Sequence, residues 1–113
     1  MQVYNINPNL TAFYFGGDTA PDNPNLLVQV EDNWEIGACD SLGVSSYVIH
    51  NGPEAIVYDT LCSPQQADEI KSYLEKTLSI SKFTVVLSHW HLDHVGGNDL
   101  YRQSNIVACR KTR

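Results

Sequence analysis

The clearest pattern of apolar and polar positions lies in the middle of the chain and predicts a β-hairpin. Two runs rich in β-branched and aromatic residues, 44–50 and 55–59, flank a polar connection. That connection contains Asn51 and Gly52, a pair that favours a tight reversal between antiparallel strands. We therefore expect the two runs to pair with each other.

A helix is predicted directly after this hairpin. Ser63, Pro64 and Gln66 supply an N-cap, a first-turn proline and a side chain that can reach back toward the cap. Apolar residues then recur every three or four positions, which makes one apolar stripe. They are Ala67, Ile70, Tyr73, Leu74 and Leu78. The spacing predicts a helix from Pro64 to about Leu78.

A continuous apolar run at 83–87 predicts a strand that is buried on both faces. A strand, a helix and a strand in this order form a right-handed crossover, so segments 55–59 and 83–87 should be parallel neighbours. The carboxyl ends of parallel neighbours lie at one edge of the sheet, where open α/β sheets bind ligands. Asp59 and His89 are therefore expected to lie close together.

Weaker signals extend the pattern in both directions. Residues 16–25 are rich in glycine, proline and Asp/Asn and predict a surface loop, and residues 99–103 predict a helical turn. Further strands are predicted at 10–16, 26–30, 33–36 and 105–109, the last of them buried. The alternation of strands and helices indicates one domain of the α/β (α+β) class.

Composition and charge narrow the function classes. The 113 residues are 42% hydrophobic and 18% charged, which is typical of one globular domain. Thirteen acidic against seven basic residues give a net charge of −6, so no nucleic-acid partner is indicated. Apolar runs are too short to span a bilayer and the N-terminus does not look like a leader. We expect a cytoplasmic protein that acts on a small molecule.

The three cysteines, Cys39, Cys62 and Cys109, are widely spaced and form no Cys-x-x-Cys pair. This favours reduced thiols over a disulfide framework or a thiolate metal site. Cys62 lies near Asp59 in sequence and could line a pocket, although a buried structural cysteine is the more ordinary interpretation.

Residues 88–97, SHWHLDHVGG, contain three histidines and an aspartate, all of which can bind a metal ion. Side chains alternate in an extended segment, so His89 and His91 can present two imidazoles to one ion. Asp93 and His94 are adjacent and, in a turn, can face a second ion nearby. The two glycines that follow remove side chains where the backbone must pass close to the site.

This donor set suits a catalytic rather than a structural metal. Neutral imidazoles and a carboxylate favour zinc, followed by manganese, iron or nickel, and no thiolate is near enough in sequence to close the site. A metal with an open position can activate water, so hydrolysis is the natural reaction class. Asp59 would then accept a hydrogen bond from a ligand histidine and orient its ring.

Ordinary structural roles compete with these assignments. The histidines could form a solvated loop or a pH-sensitive patch, and Asp59 could be a cap or turn residue. His50 stands alone at a hairpin end and is assigned no role. Trp90 is interpreted as a packing residue or a pocket wall, and Tyr58 and Tyr73 as core.

The His-x-His-x-Asp-His motif, followed by Gly-Gly and preceded by the segment AIVYDT at 55–60, closely resembles the metallo-β-lactamase superfamily. The resemblance runs from about residue 44 to residue 109 and implies the amino-terminal half of a four-layer αββα sandwich. It also implies that His89 and His91 bind a first metal ion. Asp93 and His94 would bind a second, and Asp93 would steady the attacking hydroxide.

The same resemblance implies two zinc ions in the complete site, with iron or manganese as alternatives, and a supporting position for Asp59. A histidine rather than a glutamate at position 91 is similar to the zinc hydrolases, not to the flavodiiron reductases. The family's remaining ligands come from its carboxyl half, so residues 1–113 are interpreted as a single partial domain. We expect it to pair with itself or with that half.

The function expected from this resemblance is hydrolysis of an ester, thioester, lactam or phosphoester. Two alternatives remain open at this point. One is a catalytically silent metal-binding or interaction module. The other is an iron-dependent sulfur oxygenase with the same fold.

Overall fold

A computed structural model describes residues 1–16 and 43–112, and its centre is a six-stranded sheet with the strands in chain order. The strands are β1 Gln2–Asn7, β2 Leu10–Phe15, β3 Val44–Asn51, β4 Glu54–Tyr58, β5 Lys82–Leu87 and β6 Asn105–Ala108. Neighbours are antiparallel from β1 to β4 and parallel from β4 to β6. The fold is α+β, and both the hairpin and the parallel crossover predicted from the sequence are confirmed.

Several sequence predictions lie outside the described residues. They are most of the loop at 16–25, the strands at 26–30 and 33–36, and Cys39. The strand predicted at 10–16 is confirmed as β2.

The β1–β2 hairpin was only half predicted, because no strand was expected before residue 10. Its turn is stabilised by Asn7, whose side-chain oxygen accepts a hydrogen bond from the Asn9 N–H at 2.8 Å. Asn side chains often stabilise turns in this way, two residues ahead along the chain. β1 lies at the sheet edge and has no buried residue, which explains why its hydrophobic pattern is weak.

The helix α1, Pro64–Leu78, begins and ends at the residues that its sequence predicts. The Ser63 hydroxyl oxygen accepts the Gln66 N–H at 3.2 Å, while the Gln66 side-chain oxygen accepts the Cys62 N–H at 3.1 Å. At the other end Ser79 adopts a left-handed conformation with φ 56°, which terminates the helix. These caps satisfy backbone groups that the helix itself leaves unpaired.

The core lies on one face of the sheet, under α1. Its fully buried residues come from strands and helix alike: Phe13, Val48, Val57, Ile70, Leu74 and Val85. Phe13 and Tyr73 meet edge to face with ring centroids 5.4 Å apart. Tyr73 therefore packs against the core as predicted.

The opposite face of the sheet is apolar and exposed in the part of the chain that the structure describes. It carries Tyr47, Ile49, Ile56, Tyr58 and Val107. Three predictions are wrong for this reason. Tyr58 is 44% exposed rather than core, β5 buries only alternate residues, and β6 is largely exposed. A continuous apolar run indicates that both faces are suited to burial, but β5 buries residues on only one face and β6 has no buried residue.

Two short helices follow β5. They are α2, Leu92–Val95, and a 3-10 helix, Asn98–Tyr101, where the sequence predicts a helical turn. No helix within residues 1–16 and 43–112 has the length and apolar character needed to cross a membrane.

The expectation of reduced cysteines is wrong for Cys62, which is disulfide-bonded and buried. Cys109 is a free, exposed thiol. A hydrogen bond with the Thr112 side chain, at 3.2 Å, lowers the pKa of the Cys109 thiol.

Candidate metal centre

The candidate site lies where β4 and β5 end side by side. Because the two strands are parallel, with Tyr58 opposite Val86, the residues that follow them emerge at the same edge of the sheet. The Asp59 N–H donates to the Val86 carbonyl oxygen at 3.0 Å, so the pairing continues one residue past β4. Asp59 and Ser88 are thereby brought together.

The backbone after β4 is held in an uncommon conformation. Asp59 and Leu61 have φ angles of 65° and 64°, in the left-handed region. Residues with a Cβ carbon pay about 1–2 kcal/mol there, so the surroundings must hold them. The buried Ser46 hydroxyl donates to the Asp59 carbonyl oxygen at 2.9 Å and supplies part of that support.

The Asp59 carboxylate is only 3% exposed and is surrounded by donors. Its Oδ1 accepts the Ser88 backbone N–H at 2.8 Å, and its Oδ2 accepts the Ser88 hydroxyl at 2.8 Å. His94 Nδ1 lies 2.7 Å from Oδ2. An ionised carboxylate can only accept hydrogen bonds, so Nδ1 of His94 carries a proton.

The three histidine rings of the motif lie together. The ring centroids of His89 and His94 are 4.1 Å apart, and those of His89 and His91 are 4.5 Å apart. Asp93 Oδ2 lies 3.2 Å from His94 Nε2, the nitrogen that faces away from Asp59. The short helix α2 thus places Asp93 beside the ring that Asp59 orients.

The residues present match a divalent metal in their chemistry, although no three ligating side chains within the described ranges converge closely enough to hold an ion as they stand. Imidazoles beside one carboxylate are a donor set that zinc accepts. A metal-binding histidine typically donates its second N–H to a carboxylate, as His94 does here. Metal binding by His89, His91, Asp93 and His94 stays a prediction.

Gly96 and Gly97 allow the histidine segment to pack directly on the backbone after β4. The Gly96 N–H donates to the Leu61 carbonyl oxygen at 2.8 Å, and the Thr60 N–H donates to the His94 carbonyl oxygen at 2.9 Å. A Cβ carbon on Gly96 would lie 2.0 Å from the Cys62 carbonyl oxygen, and one on Gly97 only 2.4 Å from the Thr60 carbonyl oxygen. Both positions exclude a side chain, as the sequence predicts.

Sequence reasoning missed two polar residues at the site. The Ser88 hydroxyl donates to Asp59 Oδ2, and its oxygen lies 2.9 Å from His89 Nδ1. Thr60 donates its hydroxyl to Asn98 Oδ1 at 2.8 Å, which ties the segment after β4 to the 3-10 helix. The sequence could have indicated them only because Ser88 precedes His89 and Thr60 follows Asp59. Serine and threonine are too common for such a position to identify a functional residue.

Two residues that were assigned no metal role, His50 and Trp90, differ in their distance from the histidine cluster. His50 Nε2 lies 3.3 Å from the Thr11 hydroxyl. It also lines an open cleft of about 1020 Å³ at the opposite edge of the sheet, which includes none of the histidine cluster. The candidate site is therefore the cluster of imidazoles and carboxylates, and the cleft is a separate feature. Trp90 is 67% exposed, so it is not a packing residue, and its ring meets the His91 ring edge-on at 4.6 Å.

Comparison with known proteins by sequence finds fungal relatives. The chain is 37% identical over 81 residues to lactamase-like protein ptaB of Pestalotiopsis fici, covering 71% of this chain and 25% of that protein. It is 43% identical over 56 residues to the atrochrysone carboxyl ACP thioesterase of Emericella nidulans, covering 49% of this chain and 18% of that protein. The chain thus spans about a quarter or less of these relatives.

Comparison by structure finds the same fold at low sequence identity. The metallo-beta-lactamase FIM-1 from Pseudomonas aeruginosa, in its mono-zinc form, matches with a TM-score of 0.66 and 20% identity. A metallo-beta-lactamase from Hirschia baltica matches with a TM-score of 0.63 and 16% identity. Each match covers 95% of this chain and about two fifths of the lactamase.

The sequence profile of the metallo-beta-lactamase superfamily matches residues 39–108, which is more than half of the chain. That range includes the parallel strands β4 and β5, the helix α1 and the whole histidine motif. The chain belongs to the metallo-beta-lactamase superfamily.

Proposed function

We propose that this chain supplies the His-x-His-x-Asp-His half of the active site of a metal-dependent hydrolase, and that its substrate is a thioester. The observation that carries the proposal is the cluster of three imidazole rings, one of them fixed by the buried Asp59 carboxylate. In a solvated loop, a histidine side chain would be hydrated rather than hydrogen-bonded to a buried carboxylate. The clustering therefore favours ligation over a loose surface patch.

The residues have distinct roles in this proposal. His89 and His91 hold one zinc ion, Asp93 and His94 hold a second, and Asp59 orients the His94 ring. A bound divalent ion supplies a Lewis acid that activates water and polarises the substrate carbonyl. The Asp93 carboxylate accepts a hydrogen bond from the attacking water and directs its lone pair at the carbonyl carbon.

The thioester is chosen because of the names that relatives carry. Two of the curated relatives are named thioesterases, including thioesterase pkgB of Emericella nidulans at 40% identity over 63 residues. In a thioester hydrolysis, water adds to the acyl carbon, the carbon–sulfur bond breaks, and the thiol leaves with a proton. The products are a carboxylic acid and a thiol.

The exposed apolar face of the sheet is part of this proposal. Tyr47, Ile49, Ile56, Tyr58 and Val107 form it. Sheets with such faces bury them against another layer. The chain spans about two fifths of the lactamases it matches in structure, so we propose that this face packs against the carboxyl half of the sandwich, which also supplies the remaining metal ligands.

The test is metal analysis combined with a thioester assay on the full-length protein. Zinc should copurify, and hydrolysis of an acyl-N-acetylcysteamine thioester should release free thiol only while zinc is bound. His91→Ala should abolish turnover, and His50→Ala, which changes a histidine outside the cluster, should not. Zinc without turnover of thioester, ester, lactam or phosphoester probes would favour the silent metal-binding module. Iron with oxygen consumption would favour the sulfur oxygenase.

A further inference from the structure

The Ser88 hydroxyl occupies the centre of the candidate site without being a metal ligand. Its oxygen lies 2.8 Å from Asp59 Oδ2, 2.9 Å from His89 Nδ1 and 3.3 Å from His94 Nδ1. Three functional side chains thus meet at one hydroxyl group. Ser88 is half-buried, directly after β5, and its backbone N–H is bound to Asp59 Oδ1 at 2.8 Å.

The positions of the protons follow from the chemistry of the partners. A carboxylate oxygen only accepts, so the single Ser88 hydroxyl proton lies between Oγ and Asp59 Oδ2. If that proton pointed at His89 instead, two oxygen lone pairs would face each other at 2.8 Å in a buried place. The Ser88 oxygen therefore accepts, and the nearby His89 Nδ1 is the donor.

A histidine whose Nδ1 carries the proton has its lone pair on Nε2. His94 Nδ1 donates directly to Asp59 Oδ2, at 2.7 Å. His89 reaches this state through the Ser88 hydroxyl, whose oxygen accepts its Nδ1 proton at 2.9 Å. One buried carboxylate thus places a proton on Nδ1 of two rings, one directly and one by relay.

We infer that Ser88 is a positioning residue for metal binding: its hydroxyl relays the effect of the Asp59 carboxylate to His89 and fixes Nε2 of His89 as the metal-facing nitrogen. The inference deepens the proposed function and rests on it for the metal. The tautomer of His89 in the metal-free protein is independent of it. Free histidine favours the other tautomer, with the proton on Nε2, so the effect of the relay is measurable.

The experiment uses ¹⁵N-labelled protein without metal, at about pH 8, above the ordinary imidazole pKa. Long-range ¹H–¹⁵N spectra distinguish the two tautomers of each ring. In the unmodified protein, His89 and His94 should both carry a proton on Nδ1. In Ser88→Ala, His89 should shift toward the Nε2–H form while His94 stays unchanged, because only His89 depends on the hydroxyl.

The same variants are then titrated with zinc against a chelator. Ser88→Ala should weaken zinc binding by about 10- to 100-fold, the usual effect of losing a group that orients a ligand. Ser88→Thr keeps the hydroxyl and should retain both the tautomer and the affinity. Ser104→Ala, a serine beside the amino end of β6, is the matched control and should change neither.

The outcomes separate this inference from the proposed function. If the unmodified protein shows His89 with its proton on Nε2, or if Ser88→Ala changes neither tautomer nor affinity, the relay is wrong even when zinc binds. If the tautomers change as expected but no variant binds zinc, the relay stands and the metal function fails. The measurement on the unmodified protein holds even if Ser88→Ala does not fold.

Discussion

At the scale of single residues, the most constrained group is the Asp59 carboxylate. It is buried, and its donors come from the Ser88 backbone, the Ser88 hydroxyl and the His94 ring. Both oxygens of this buried carboxylate accept hydrogen bonds, whereas an amide in its place would turn one oxygen into a donor facing other donors.

Asp59→Asn is therefore expected to loosen the His94 ring and lower zinc affinity by about 10- to 100-fold. Chelator competition on the purified variant measures the change. Asp99→Asn is the control, because the Asp99 side chain is 76% exposed and pairs with Arg102 at 3.8 Å, away from the histidine rings. Equal zinc affinity in both variants would show that Asp59 does not support the metal ligands.

His91→Ala should reduce zinc content more strongly than any supporting substitution, because it removes one of the two imidazoles assigned to the first ion. Metal analysis after dialysis gives the stoichiometry. His50→Ala removes a histidine whose ring contacts Thr11 and should retain the zinc of the unmodified protein. An unchanged stoichiometry in His91→Ala would remove this residue from the ligand set.

At this scale the sequence was informative where residue types are rare and clustered. Three histidines and an aspartate within six positions are an unusual pattern, and the structure brings the three rings together. Asp59 could be predicted to lie beside them only because the segments 55–59 and 83–87 were expected to be parallel neighbours. Ser88 was not predicted, because a serine after a strand is ordinary until its hydroxyl partners are seen.

At the scale of elements, the site depends on two parallel strands that end together. The segment after β4 pairs with the histidine segment through backbone hydrogen bonds from Thr60 to His94 and from Gly96 to Leu61. These bonds hold the two strand exits against each other. The geometry of the metal centre is therefore expected to depend on glycines that lie outside the ligand set.

Gly96→Ala tests that dependence. Gly96 has φ −61°, which alanine adopts freely, so its cost comes from the Cβ carbon 2.0 Å from the Cys62 carbonyl oxygen. We expect a loss of about 1–3 kcal/mol in the free energy of unfolding, measured by urea denaturation, together with weaker zinc binding.

Gly52→Ala provides the contrast. Gly52 lies in the β3–β4 turn with φ 54° and open space around it, so alanine there should cost about 1 kcal/mol through backbone strain alone and leave zinc binding intact. If Gly96→Ala were as stable as the unmodified protein and bound zinc equally well, the close packing at the histidine segment would not matter to the site.

Strong local signals predicted most elements, and the differences have physical causes. Caps and an apolar stripe defined α1 at both ends, and Asn-Gly defined the β3–β4 turn. β1 was missed because an edge strand with mostly exposed side chains lacks a hydrophobic pattern. The burial of β5 on both faces and the burial of β6 were wrong, because hydrophobicity shows what a face can bury, not whether a partner is there.

At the scale of the whole molecule, one face of the sheet is covered by α1 and the other is not covered within the described residues. On the open face Ile49 and Ile56 are cross-strand partners, 56% and 44% exposed, with Tyr47 and Tyr58 paired beside them. Apolar patches of this kind mark surfaces that associate. Residues 1–113 expressed alone are expected to associate through this face.

The double variant Ile49→Thr with Ile56→Thr should reduce that association, as measured by light scattering across a concentration series. The matched control replaces both residues by valine, which has the shape of threonine but keeps the face apolar and should still associate. A monodisperse monomer for the unmodified 113-residue chain, with nothing bound to it, would contradict the assignment of this face.

We propose that the imidazoles of His89, His91 and His94 and the carboxylate of Asp93 converge on divalent cations at the carboxyl ends of β4 and β5. Zinc-edge X-ray absorption on the zinc-loaded full-length protein tests it most directly, with His91→Ala measured alongside. We expect imidazole nitrogens at about 2.0–2.1 Å from zinc, and fewer of them in the variant. A zinc spectrum without imidazole ligands, or one that His91→Ala leaves unchanged, would contradict it.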